Sequence, residues 1–243
     1  MGKIAFLFAG QGGQDGPTAD VQPAIFNESI KHAMGLKIKP DCVAGFSLGE
    51  ITALHFAGVL DGEQLVKVRA NAMQECCDKA SGTMVAVIRL SKTLDFKGAW
   101  PVNFNSPDQT VYSMTSELTD KFIEHVTSQG GRSIKLKVSG AFHCPLMEDA
   151  SKKVTEFLQG VALSKHSVPV YSNMTARPYL GDFKNLIAKQ VTNPVQWQQT
   201  IENMIADGVD TFVECGPGRV LSGLVKKISE GKDIKIQHAE DLL

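Results

Sequence analysis

The chain predicts an α/β fold, a parallel sheet covered by helices on both faces and interrupted by a small α+β insertion. Three features predict it. Up to Lys79, short apolar runs alternate with longer helical periods in the order strand, helix, strand, helix. The stretch Gly82 to Ser139 changes to short strands with a single helix between the last two. From Pro145 the first style returns, and no Gly- or Ser-rich linker divides the chain. Of its 243 residues 43% are hydrophobic, which suffices for one sizeable core with a small inserted unit.

Lys3 to Ala9 reads as a buried strand ending in the turn Gly10-Gln11-Gly12-Gly13-Gln14. Val21 to Met34 carries a helical apolar period, and Cys42 to Gly45 is the next strand. A helix runs from Leu48 to about Leu60, and Asp61-Gly62 breaks it. Asp61 sits where it caps a further helix, Glu63 to Lys79. Met84 to Arg89, Val102 to Asn105, Thr110 to Met114 and Ile134 to Val138 are short strands, with a helix over Ser116 to Ser128. Helix Pro145 to Gln159, strand Pro169 to Ser172, helix Pro194 to Asp207, strand Thr211 to Glu214 and helix Arg219 to Ser229 follow. Residues 1–81 and 140–243 thus form one unit and 82–139 the insertion.

Composition narrows the function. A net charge of -1 argues against nucleic acid or an anionic membrane surface as the main partner. No apolar run is long enough to span a bilayer, and Met1 to Phe8 is too short for a secretion signal. The five cysteines, an odd number without a C-x-x-C pair, suggest neither a disulfide framework nor a metal site. Reduced thiols and a cytoplasmic location are the expectation.

Gly45-Phe46-Ser47-Leu48-Gly49, between a strand and a helix, has the form of a nucleophile elbow, against the plainer reading of a tight turn with an incidental serine. The glycines permit a bend that lifts the Ser47 hydroxyl off the backbone, and the Leu48 N–H points where an oxyanion would form. A serine needs a base. His55 lies two turns along the helix, His125 on a polar helix, His166 in a loop and His238 in a charged tail. His143 differs: it stands in a loop that leaves a strand and enters a helix opening with Pro145, the kind of place where open α/β sheets build sites. Gln11, in the N-terminal turn, is a candidate wall of the oxyanion hole. Arg69 is either a surface residue of an amphipathic helix or a fork for a substrate carboxylate.

Taken in order, these segments resemble a known family. Gly10-Gln11-Gly12-Gly13-Gln14 is similar to its GQGxQ, Gly45 to Glu50 to its GHSLGE, and Arg69 with Met73 to its R-x-x-x-M. Asn105-Ser106-Pro107-Asp108-Gln109 resembles NSPxQ, Gly140 to Met147 resembles xAFHxPLM, Gln190 to Trp197 resembles QxxxPVxW, and Glu214 to Gly218 resembles ExGPG. The family is the malonyl-CoA:acyl carrier protein transacylases with the acyltransferase domains of polyketide synthases. The resemblance implies an α/β-hydrolase-like core with a ferredoxin-like insert. It also implies transfer of malonyl from malonyl-CoA to the phosphopantetheine thiol of acyl carrier protein, in fatty acid or polyketide biosynthesis, with no resident cofactor. Ser47 would be the nucleophile, His143 the base, Gln11 and Leu48 the oxyanion donors and Arg69 the carboxylate clamp. A backbone carbonyl at Gln190 or a close neighbour would orient the histidine. Phe142, before the histidine, goes with malonyl rather than its α-methyl homologue, although one methyl shifts such choices only ~10–200-fold.

Two departures stand out. Phe46 replaces the family's usual histidine, which bears on activity or acyl choice. The segment from Gln14 to Ser47 is short, as though two or three helices were missing, which leaves either apolar surface for a partner or second copy to cover or a less stable, weakened enzyme, the chain otherwise being monomeric or synthase-associated. Two other functions share these residues: a thioesterase-type serine hydrolase with water as acceptor, and a non-catalytic docking subunit for the carrier protein.

Overall fold

The computed structural model describes residues 2–12 and 14–243, so Met1 and Gly13 of the N-terminal turn lie outside the described residues. A five-stranded parallel sheet is built from β1 (Lys3–Phe8), β2 (Cys42–Gly45), β7 (Val170–Tyr171), β8 (Val209–Cys215) and β9 (Lys235–His238), in the order β7-β2-β1-β8-β9. Phe8 pairs with both Gly45 and Cys215, so β1, β2 and β8 end at one level and their following loops meet there. Side chains alternate across β1. Phe6 and Phe8 pack among Phe26, Ile51, Leu54 and Leu65 on one face. Ala5 and Leu7 pack with Trp197, Ile201 and Phe212 on the other. Burial on both faces explains the continuous apolar run, and each such large side chain contributes roughly 1.5–3 kcal/mol.

Helices α1 (Thr18–Gly35), α2 (Leu48–Phe56) and α3 (Gly62–Lys79) cover the first face and its flank. α1 is the single helix between β1 and β2, with Val21, Ile25, Phe26 and Ala33 buried. α2 ends at Phe56, short of the predicted Leu60. The cause is Gly58 at φ 76°, whose N–H bonds to His55 O at 2.9 Å while Val59 N–H reaches Leu54 O at 3.0 Å. That pair of bonds is a Schellman stop. Asp61 caps α3 by accepting from Glu63 N–H at 3.0 Å.

A second, antiparallel sheet comprises β3 (Gly82–Ile88), β4 (Ala99–Ser106), β5 (Gln109–Thr115) and β6 (Arg132–Lys135), in the order β4-β5-β3-β6. α4 (Thr119–Ser128) buries Phe122 and Val126 against Val85, Val87, Tyr112 and Met114. The opposite face, with Met84, Ala86 and Val111, packs on Met73, Phe142 and Met147, joining the two sheets. β6 stops at Lys135 rather than Val138; Leu136 N–H still reaches Met84 O at 2.9 Å, and the chain then turns away.

α5 (Glu148–Gln159), α6 (Phe183–Lys189), α7 (Trp197–Ala206) and α8 (Val220–Ile228) complete the fold. α6 and β9 are additional to the elements read from the sequence. His238, expected in a charged tail, instead lies buried at the end of β9 and donates from Nε2 to Gly216 O at 3.1 Å. Pairing of β9 with β8 draws that segment into the sheet.

Candidate active site

Ser47 joins β2 to α2 at φ 54° and ψ -106°, a strained backbone that only surrounding bonds can hold. A Cβ on Gly45 would overlap the backbone of Gly49, and one on Gly49 the carbonyl of Phe8, so the turn admits no larger residue at either place. Asn173, fully buried after β7, braces the bend. Its Oδ1 accepts from Ser47 N–H at 2.7 Å and its Nδ2 donates to Gly45 O at 2.6 Å.

Ser47 Oγ lies 2.7 Å from His143 Nε2 and 2.9 Å from a terminal guanidinium nitrogen of Arg69. The His143 loop leaves β6, an edge strand of the antiparallel sheet, and not a parallel strand as the sequence suggested. Ser113 Oγ fixes that loop by donating to Phe142 O at 2.6 Å. His143 Nδ1 is 2.9 Å from Gln190 O and 3.2 Å from Asn193 O. Carbonyls only accept, so Nδ1 carries the proton and Nε2 turns a bare lone pair to the serine. Burial, seconded by the charge of Arg69, pushes the imidazole down to about 4, so it is neutral and able to accept a proton.

Arg69 is not on the surface. It is 1% exposed on α3 and donates to Gln22 Oε1 at 2.6 Å and to Gln190 Oε1 at 3.1 Å, besides Ser47. Burial lowers it to about 10, with Glu50 opposing, and it stays a cation at neutral pH. Gln190 does more than lend its carbonyl to His143: its Nε2 donates to Ser47 O and to Glu50 Oε2, each at 2.6 Å.

Leu48 is the first residue of α2, so its N–H has no intrahelical acceptor. Gln11 follows β1 beside the elbow, and Gly10 sits so close to Phe46 O that a Cβ there would lie 2.5 Å from it. Gln11 Oε1 is buried, and no donor among the described residues reaches it. Phe46 packs edge-on against Trp197 with ring centroids 5.3 Å apart, the apolar contact that its ring makes in place of a polar one. A small pocket at Ser47 is walled by Gln11, Phe46, Met73, Phe142 and His143. It shares Gln11, Phe46 and Leu136 with an apolar cleft of about 450 Å³ that runs on past Gly12 to Val220.

Sequence reading missed Glu50 and Asn173 as site residues. Glu50 is 1% exposed; its Oε1 accepts from Asn173 N–H at 3.0 Å and Tyr179 OH at 2.7 Å. Burial raises its carboxyl above the ordinary carboxylate range, and these hydrogen bonds offset only part of that rise. A charged residue inside the apolar run Leu48 to Leu54 was the available signal. Asn173 carried none. Elsewhere, the ligand atoms of Glu28, His32 and Glu240 lie within 4.8 Å of one another. His32 Nδ1 accepts from Gly216 N–H at 3.2 Å, which leaves the proton on Nε2, the nitrogen facing Glu240, and makes it a poor metal ligand. The five cysteines are free thiols. No helix among the described residues is long and apolar enough to cross a membrane.

An elbow serine, a carbonyl-held imidazole and an open helix end are the parts that acyl transfer requires. The acyl transferase domain family matches residues 6–238, and the chain belongs to it. Among its relatives, the malonyl CoA-acyl carrier protein transacylase of Bacillus subtilis is 35% identical over 244 residues, 93% of this chain and 77% of its own length. The crystal structure of the malonyl CoA-acyl carrier protein transacylase from Clostridium perfringens superposes with a TM-score of 0.88 at 32% identity, covering 97% of this chain and 92% of the other. A malonyl-transacylase solved in complex with a type II polyketide synthase acyl-carrier protein gives 0.83 at 28% identity, covering 97% and 94%.

Proposed function

We propose that this chain is a malonyl-CoA:acyl carrier protein transacylase that works through a Ser47 acyl-enzyme. The observation that carries the reading is the double contact of Ser47 Oγ, with the His143 base on one side and the Arg69 guanidinium on the other. An acyl group whose carboxylate stands one methylene from the thioester carbonyl would fold back from Oγ onto that fork. His143 Nε2 takes the Ser47 proton as Oγ attacks the thioester carbonyl. The N–H groups of Leu48 and Gln11 hold the oxyanion; losing one such donor typically costs ~10²–10³ in rate. Collapse expels the coenzyme A thiolate, which takes the proton from His143. The phosphopantetheine thiol of acyl carrier protein then gives its proton to His143, attacks the malonyl ester, and Ser47 regains its hydrogen. No resident cofactor enters these steps. The apolar cleft at Leu136 and Val220 is the path for the pantetheine arm, and Phe142 and Phe46 wall the acyl pocket.

The same reading takes residues 1–81 and 140–243 as an α/β-hydrolase-like core and 82–139 as a ferredoxin-like insert. In support, the second sheet has the strand order of that insert, with a loop at 89–98 in place of its first helix.

Intact-mass measurement after separate mixing with malonyl-CoA, methylmalonyl-CoA and acetyl-CoA tests the function. One malonyl group on Ser47, discharged by carrier protein, is expected. Free malonate as the main product would make the chain a hydrolase, and carrier binding without acyl-serine would make it a docking subunit. Arg69→Ala is expected to lower malonyl loading ~10²-fold, the scale for losing hydrogen bonds to a buried charge; normal loading by that variant removes the clamp.

A further inference from the structure

Asn173 N–H, Tyr179 OH and Gln190 Nε2 converge on the two carboxyl oxygens of Glu50, and the Ser172 hydroxyl lies beside them. Gln190 is thereby given a fixed polarity. Its Nε2 must face Glu50 and Ser47 O, and its Oε1 is left to take Arg69. An amide can be turned over at little cost in shape, so only its partners decide which end meets the guanidinium. Two of those partners, the Ser47 carbonyl and Arg69, belong to the acyl site itself. Glu50 is the partner whose side chain bonds to neither Arg69 nor the Ser47 hydroxyl, anchored on α2 and clasped by Tyr179 and the Asn173 backbone.

We propose that Glu50 is a positioning residue that determines acyl specificity: its carboxylate orients the Gln190 amide, and that amide aims Arg69 at the carboxylate of the acyl group. The proposal rests on the reading of Arg69 as the malonyl clamp. The hydrogen-bond directions state its content. In Glu50→Gln, one carboxamide end is an oxygen and the other an NH2. With the oxygen kept for Asn173 and Tyr179, the NH2 confronts Gln190 Nε2, donor against donor. Gln190 relieves this only by turning over, which gives up its bond to Ser47 O and sets its own NH2 against Arg69. The guanidinium then retains Gln22 and loses its second brace. Neutral acyl groups make no use of the fork, so their loading changes less.

The test is the rate of Ser47 acylation by malonyl-CoA and by acetyl-CoA, followed by intact mass in the full chain, with a thermal melt of each variant. Glu50→Gln is expected to lower the malonyl-to-acetyl rate ratio about tenfold or more, the scale of one hydrogen bond to a charged group. Gln190→Met, which keeps the backbone carbonyl for His143 and removes the amide bridge, is expected to lower the ratio in the same direction. It also serves if Glu50→Gln does not fold. An unchanged ratio in a folded variant leaves Glu50 a structural residue and overturns the proposal. So does a raised ratio, which would follow if Glu50 acted only as a counter-charge. Wild-type protein that takes up no malonyl at all defeats the transacylase reading instead.

Discussion

β2 and β8 flank β1, and each leaves the sheet through a glycine-bracketed turn into a helix, yet the two helix ends are used in opposite ways. After β8, the buried carboxylate of Glu214 accepts from Leu221 N–H at 2.9 Å and Ser222 N–H at 2.7 Å, so the N-terminus of α8 holds a resident anion. After β2, Ser47 N–H goes to Asn173, Gly49 N–H to Phe46 O and Glu50 N–H to Ser47 O, and among the described residues the Leu48 N–H is left over beside Ser47. A filled helix end stabilises the fold. An open one keeps its partial positive charge, which the proposed mechanism assigns to an anion formed only during reaction. On that reading the same strand-turn-helix unit serves as scaffold on one side of β1 and as chemistry on the other.

Changes at the open end should have the largest effects. Ser47→Ala is expected to abolish acylation, by ~10³-fold or more, the scale seen when a nucleophile is removed from an acyl-transfer site. Label retained on that variant would move the chemistry away from the β2 turn. Acidification comes next. His143 titrates at about 4 in the fold against an ordinary 6.5. Acylation should hold from neutrality to well below pH 6 and fall as pH drops through about 4, where the imidazole takes a proton and can no longer accept one from Ser47. Between those two values the unfolded chain binds a proton that the folded chain does not, so stability from this group also falls as pH drops from 6.5 towards 4. A rate profile centred on 6.5 would show an imidazole open to water.

At the filled end the loss should appear in stability. Glu214→Gln keeps one accepting oxygen and sets an NH2 against a helix N–H, at a cost of about 1–3 kcal/mol in chemical denaturation. An unchanged denaturation midpoint would mean that α8 does not depend on its resident anion. Asp61→Ala supplies the mildest case, a helix end capped by an ordinary side chain at the surface. Removal of that cap from α3 is expected to cost ~1 kcal/mol by the same measurement.

Locally written features were legible in the sequence, and features made by distant partners were not. The elbow announces itself because its two glycines, serine and flanking strand lie within a few positions. Asp61 is readable as a cap for the same reason. Arg69 is the opposite case: one period on an amphipathic helix looks alike whether it faces water or the elbow serine, and what separates the two here is Gln22 and Gln190, 47 and 121 positions away. Glu50 owes its role to Asn173, Tyr179 and Gln190, none nearer than 123 positions. α2 overran in the sequence reading because Phe56 to Leu60 continues without a polar residue, whereas the φ of Gly58 ends the helix. β9 and its buried His238 were lost in a charged segment, since an edge strand with one solvated side needs few apolar residues.

The spacing of the Ser47 partners along the chain has a consequence for how the protein is made. His143 lies 96 positions after the serine, and Gln190, which turns that imidazole, lies 143 after it. While the ribosome is still adding those later segments, Ser47 lacks the partners that the proposed mechanism gives it. On that reading, synthesis that stops short of Gln190 is expected to release a chain that no thioester acylates, and reactivity arrives only with the last third of the sequence.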